Sequence, residues 1–245
     1  MMPVVCSAFY VYGLFHAKGD SMKKTLFTIV FALFALGFSG RPVFAEGAGA
    51  FSIGVMGGGV APIASEAVEG FPDTEWNAKG VFAASVLYRF PSGFTIELLG
   101  ESLDMELKEN GESFGTLKMK PIMLLFKFQG MPVQESGWAG HGGIGGGINN
   151  TSFEKGGVLL DLERASGATI NITTDKAFVF EMGGGADYFF NRHVSVNFDL
   201  KMLLCNVGTD WSVSGGGGSA TIPEINKFMV SNFQALAGLR IWFGR

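Results

Sequence analysis

The sequence predicts an all-β fold: an eight-stranded antiparallel up-and-down transmembrane β-barrel, preceded by a cleaved signal peptide. Three observations predict it. Segments with period-two alternation recur through residues 46–245. The connections between them alternate between short turns and long polar loops. Aromatic residues gather where the apolar faces meet the short turns. The composition agrees. Only 16% of the 245 residues are charged, against about 25% in a typical soluble domain. At 47% hydrophobic, the chain cannot be a disordered one. A net charge of −4 excludes a basic nucleic-acid binder. A polytopic helical membrane protein would need several long apolar runs, and this chain has one. Cys6 and Cys205 make neither a disulfide framework nor a metal cluster.

The elements follow in chain order. Met22-Lys23-Lys24 opens a short positive stretch, and residues 25–39 are almost free of polar groups. Val43-Phe44-Ala45 places small residues at −3 and −1 of a cut after Ala45. This is the layout of an export leader at 22–45. Residues 1–21 read as an extension ahead of the natural start, and 46–245 as the barrel domain. Weak strand patterns lie at 51–64, 115–128 and 137–149. Stronger ones are clear elsewhere. Over 79–90, Phe82, Ala84, Val86, Tyr88 and Phe90 oppose Ser85 and Arg89. Over 94–104, Phe94, Ile96 and Leu98 oppose Thr95, Glu97 and Glu101. Over 177–189, Phe178, Phe180, Met182 and Tyr188 oppose Glu181 and Asp187. Over 193–204, His193, Ser195, Asn197, Asp199 and Lys201 alternate with Val194, Val196, Phe198, Leu200, Met202 and Leu204. The last segment sets Phe233, Ala235, Ala237, Leu239, Ile241 and Phe243 against Asn232, Gln234, Leu236, Gly238, Arg240 and Trp242. Each segment is near or above the roughly 9–11 residues that cross a bilayer as a tilted strand.

Short turns are expected at 91–93, 191–192 and 129–136, and longer polar loops at 65–78, 105–114, 150–176 and 206–227. Within the third loop, LLDLERA at 159–165 reads first as an ordinary loop turn and second as a short helix over the mouth. A three-residue loop 190–192 would set Glu181 opposite Lys201, inside the lumen, as an ion pair.

Which face points outward decides between a membrane barrel and a soluble one. Tyr88, Phe90, Phe94, Phe126, Phe128, Trp138, Tyr188 and Phe243 share the apolar faces close to the short-turn end. That is the pattern of an interfacial girdle, with Phe82, Phe178 and Phe180 as the start of a second one. A sandwich core would place its aromatics at strand middles. The apolar face is therefore expected outside.

At 183–203 the run GGGADYFFNRHVSVNFDLKML resembles the penultimate hairpin of the OmpW-like outer-membrane proteins. The order is a Gly-rich strand, Asp-Tyr-Phe, a short Asn-containing turn and an alternating Asn-Phe-Asp-x-Lys strand. The Gly-rich 140–148 stretch and the terminal GLRIWFGR are compatible with it. The resemblance implies an eight-stranded barrel in the outer membrane and a narrow route for small hydrophobic molecules. The alternative is a non-conducting structural or adhesion barrel acting through its loops. The partners expected are outer-membrane lipid, lipopolysaccharide and small hydrophobic solutes, with no nucleic acid.

The candidate site is the polar inner face: Arg89, Glu97, Glu101, Lys127, His141, Glu181, Asp187, Asp199, Lys201 and Arg240, with His193 and Gln234 beside them. A barrel of this size is only just wide enough for side chains to fill. Such charges make either a structural plug or a polar constriction that gates passage. Gly143, Gly145 and Gly147 beside Gly183 and Gly185 leave room inside. That room is expected to be filled by a large residue such as Arg240 or Trp242, or the glycines to ease barrel curvature, or else the space to hold a small ligand near His141. His193-x-Ser195 lacks a third member for hydrolysis and sits at the wrong end for outer-leaflet lipid. GxGxxG-like runs at 140–147 have no following helix. No enzyme activity, metal or cofactor is expected.

Overall fold

The computed structural model describes residues 49–63, 74–130, 136–215, 218–221 and 227–244. The expected leader, its cleavage site and the extension at 1–21 lie outside the described residues. Eight strands form the wall: β1 (Ala50–Pro62), β2 (Thr74–Arg89), β3 (Phe94–Glu109), β4 (Glu112–Gln129), β5 (Gly137–Lys155), β7 (Ala177–Asn191), β8 (Val194–Gly215) and β11 (Asn232–Phe243). Each pairs antiparallel with its neighbours, and β11 returns to β1 from Phe51↔Phe243 to Pro62↔Asn232. The sheet closes on itself, so no strand of the ring is left with an unpaired edge. Helix α1 (Gly157–Ser166) and the short strands β6 (Thr169–Thr174), β9 (Gly218–Thr221) and β10 (Lys227–Met229) stand at the long-loop end. All three short strands pair with the upper part of β8.

The outer wall is apolar and the inner wall is not. Leu98 is 51% exposed, whereas its neighbour Glu97 is 0% exposed. Ile53, Val55, Leu124, Phe126, Phe198 and Ile241 share the outer side. A soluble barrel would reverse this order, so the wall is built to face lipid. At the short-turn end the aromatic rings touch in a belt. Tyr88 meets Phe90 at 4.8 Å, Phe90 meets Phe94 at 5.7 Å, Phe94 meets Phe128 at 5.6 Å, and Trp138 meets Tyr188 at 5.1 Å between centroids. Phe126 stacks on Phe94, and Phe243 packs on Phe51.

The strands run further than the expected loops allow. β4, β5 and β8 are 18, 19 and 22 residues long, well past the roughly 9–11 that cross a bilayer. Residues 105–114 are therefore the tip of a hairpin and not a loop. Glu109 pairs with Glu112, and the two residues between them adopt positive φ: Asn110 at 51° and Gly111 at 83°. That is the geometry an Asn-Gly hairpin turn supplies. Asp104, Glu106 and Lys108 point outward there because the wall above the bilayer meets water. Loop 150–176 is likewise mostly regular, and 159–165 is helical rather than a loop turn. α1 buries Leu159 and ends where Gly167, at φ 67°, donates its N–H to Glu163 O. Most of the expected 65–78 loop and part of the 129–136 turn lie outside the described residues.

The β7–β8 register also differs from the expected one. Gly183 pairs with Lys201 and Glu181 with Leu203, so Glu181 does not stand opposite Lys201. The turn is tighter than the three-residue loop expected. A bulge between Phe189 and Asn191 takes up Phe190, and the Asn191 side chain accepts from the N–H groups of His193 and Val194 at 2.8 and 3.0 Å. The shift is two residues, so every side chain keeps its face.

Candidate functional site

The lumen is stacked in layers, each built by the inward residues of the wall. The lowest is a small apolar floor of Leu87, Ala139, Phe189 and Trp242. The Trp242 and Phe189 rings lie 5.4 Å apart, and Trp242 Nε1 donates to Ser195 Oγ at 2.9 Å.

Above the floor lies an ionic layer. Arg240 reaches across the barrel: Nη1 donates to Asp187 Oδ1 at 3.1 Å and Nη2 to Glu97 Oε1 at 3.1 Å. Lys127 Nζ sits 2.5 Å from Glu97 Oε2. His141 lies between two carboxylates. Its Nε2 is 2.5 Å from Asp199 Oδ1, and its Nδ1 is 3.2 Å from Asp187 Oδ2, an ion-pair distance out of line for a hydrogen bond. Gln129 Nε2 donates to Asp187 Oδ2 at 2.7 Å, and Asn197 Nδ2 to Asp199 Oδ2 at 3.0 Å. Arg89 Nε donates to Gln129 O at 3.3 Å. At the top of the layer, Lys201 bonds Glu101 and also Glu181, the latter at 3.1 Å. Gln234 Nε2 donates to Glu101 Oε2 at 3.3 Å.

The structure thus brings ten of the sequence-selected residues, Arg89 to Arg240, into one buried layer, with Gln234. His193 is not among them. It sits in the exposed β7–β8 turn, with Nδ1 3.2 Å from Trp242 O. The Lys201–Glu181 contact forms despite the shifted register, because a long ammonium stem spans a two-residue diagonal.

The inward glycines make the layer possible. A Cβ at Gly183 would lie 2.5 Å from Lys201 Cβ, and one at Gly143 2.5 Å from Phe126 O and closer still to the Lys127 stem. At Gly185 it would meet Asp199 Oδ1 and His141 Nε2 at 2.8 and 2.9 Å. The room they leave is taken by the ionic side chains, chiefly Lys127 and Lys201, and not by Arg240 or Trp242. It is not a ligand cavity either. The remaining void near His141, Lys127 and Lys201 measures about 10 Å³, space for about one water.

Over the ionic layer the inner wall turns apolar. Leu103, Met105, Leu107, Leu117, Met119 and Val207 are all buried there. Aromatic rings close this layer at the long-loop end. Phe228 of β10 is fully buried, 5.4 Å from Trp76, 5.5 Å from Phe153 and 6.3 Å from Trp211. Trp76 Nε1 donates to Met229 O at 2.8 Å, which ties β10 across the mouth. Sequence reasoning did not single this layer out. Where the inner face is apolar inside an apolar outer face, as at 121–125, alternation vanishes. A continuous apolar run in a strand-length segment was the available signal.

No protein-family profile and no curated sequence matches the chain. Solved structures do. The outer membrane protein OprG of Pseudomonas aeruginosa superposes with a TM-score of 0.56 at 16% identity, covering 83% of this chain and all of OprG. Outer membrane protein W of E. coli matches at 16% identity and TM-score 0.45, covering 81% of this chain and all of that one. AlkL matches at 15% identity and TM-score 0.45, over 84% of this chain and 95% of its own. At 16% identity and a TM-score of 0.56, the likeness to OprG concerns the fold. Together with the lipid-facing wall, it shows the chain to be an eight-stranded β-barrel of the outer-membrane type.

Proposed function

We propose that this barrel is a narrow route for small hydrophobic molecules, exported by the leader at 22–45 and starting at Glu46 once processed. The observation that carries the reading is the change of lining with height: an apolar upper lumen resting on a closed ionic layer. An apolar solute gains by entering the upper layer, whose methionines adapt to varied shapes. Ions and water gain nothing there, and the packed ionic layer blocks the axial path below. The β3–β4 seam supports a sideways exit. Between Gly100↔Ile122 and Leu103↔Met119 the β3–β4 ladder carries no paired residues, and Pro121, which has no N–H, stands in that gap.

Uptake of a dye-labelled alkane or a small aromatic into vesicles carrying the refolded barrel tests this. Uptake should exceed that of empty vesicles, without ion conductance. Phe228→Ala should raise it by removing the ring that closes the mouth. Uptake equal to empty vesicles for both proteins contradicts the reading.

The second reading is a non-conducting barrel that acts through its outer end. The filled lumen supports it, as does the platform of α1, β6 and β9 with Leu162 54% exposed. Absence of uptake together with cell or surface adhesion that is lost on shortening 157–166 would favour it.

A further inference from the structure

The outer wall is not evenly filled. Across β2–β5, one row of outward residues runs Phe82, Ser102, Lys120 and Asn150. Phe82 pairs with Ser102 and Lys120 with Asn150, while Ser102 and Lys120 face each other across the Pro121 gap. The row below runs Ala84, Gly100, Ile122 and Ile148. Ala84 and Gly100 are small and adjacent, so the wall is dented beneath Ser102. The dent is a groove of about 400 Å³, walled by Phe82 and Ile122 and rimmed above by Ser102, Lys120 and Asn150. A Cβ at Gly100 would touch nothing within 4 Å.

The height and charge of this groove point to its occupant. On β4 the outward residues are Phe128, Phe126, Leu124 and Ile122, and then Lys120. On β3 the apolar outward series gives way to Ser102, and on β5 to Asn150. The rim therefore marks the level where acyl chains end and headgroups begin. One row higher the charges are matched: Asp104 stands beside Lys118, which binds Glu154 at 2.5 Å. The exposed Lys120 ammonium has no ion-pair partner among the described residues. The Glu101 carboxylate, on the floor, is turned inward to Lys201.

We propose that this groove is a lipid-binding site: it holds one acyl chain of a phosphorylated outer-leaflet glycolipid, whose phosphate is bound by Lys120 with Ser102 and Asn150. A chain fills the dent that Ala84 and Gly100 leave, and the anionic head neutralises the unmatched cation. The groove opens on the same Pro121 gap as the proposed exit, but lipid binding there needs no solute to cross the wall.

Native mass spectrometry of the folded barrel in neutral detergent tests it, with bisphosphorylated lipid A and its dephosphorylated form as probes. The wild-type barrel should retain one lipid A and prefer the phosphorylated form by roughly fivefold, the worth of one lysine at an anionic lipid surface. Lys120→Gln should abolish the preference. Gly100→Leu, and Ala84→Leu as a second groove-filling change, should weaken retention of both forms. Heat-modifiable migration on gels verifies that each variant is folded. Inorganic phosphate in excess should leave the lipid bound. A preference unchanged in Lys120→Gln, retention unchanged in both filled variants, or displacement by phosphate alone would overturn the proposal. Failure of the uptake assay would leave it standing.

Discussion

At the scale of single residues, the lumen shows how charge is kept inside a membrane wall. Lys201 is bonded to both Glu101 and Glu181. Lys201→Met would leave two buried carboxylates without the ammonium that bonds them both. Removing one partner of a buried ion pair costs about 3–5 kcal/mol, because the remaining charge is stranded. The triple variant Lys201→Met/Glu101→Gln/Glu181→Gln should recover a good part of that loss. Urea titration of the refolded barrel in lipid vesicles measures both, and equal stabilities for the single and triple variants would contradict the coupling. The glycines give a second test. Gly143→Ala forces its Cβ against the Phe126 carbonyl and the Lys127 stem, so it should cost about 1–3 kcal/mol, as overpacking does. Gly100→Ala meets nothing and should be neutral or stabilising by up to about 1 kcal/mol. The same titration ranks the two.

At the scale of elements, the outer end is held by a few polar ties. Lys155 Nζ lies 2.7 Å from Glu163 Oε1 and donates to Ile170 O at 2.8 Å. The Ile170 N–H donates to Glu163 Oε1 at 2.6 Å. These contacts join β5, α1 and β6 through one carboxylate. The Lys155 ammonium, and after it the Ile170 N–H, hold the Glu163 carboxyl below the usual carboxylate range. A carboxyl lowered in the folded state stabilises fully above its unfolded pKa. That contribution is lost as pH falls through the ordinary value and down past the lowered one. Docking of α1 should therefore loosen in acid while the barrel wall stays closed. Hydrogen exchange at the Ile170 amide, corrected for intrinsic rate, should lose protection over that window, and Glu163→Gln should flatten the dependence. Protection that is independent of pH in the unaltered protein would contradict it.

At the scale of the whole molecule, the apolar outer wall and the charged interior invert the plan of a soluble barrel. Phe198 lies on the outer wall at 47% exposure, against the Trp138 ring at 6.2 Å. Phe198→Arg should cost about 2–4 kcal/mol, approaching the upper value if the side chain sits near the midplane. A folding titration in lipid reads this directly, and no loss of stability would reverse the face assignment. In detergent, which adapts to the charge, the same change should cost less.

Periodicity determined the strands and their two faces, and the aromatic girdle determined which face is the outer one. The side-chain period of a strand is two, so Glu97 and Leu98 are assigned to opposite faces without any knowledge of neighbours. It also determined which charges share the lumen, because parity survives a register shift of two residues. What it could not determine was where strands end and how they slide. Above the bilayer the outer face becomes polar, so Asp104, Glu106 and Lys108 look like loop residues although they lie on a strand. The bulge at Phe190 is a local backbone choice, settled by the Asn191 cap and by closure of the whole ring. The layering of the lumen was also beyond one-dimensional reading. Glu97, Lys127, Asp187 and Arg240 meet only because four separate strands bring them to one height. The Phe228 cap forms because β10 folds back onto β8, an arrangement no local pattern encodes. Faces follow from the geometry of one strand, but heights and partners follow from the closure of all eight.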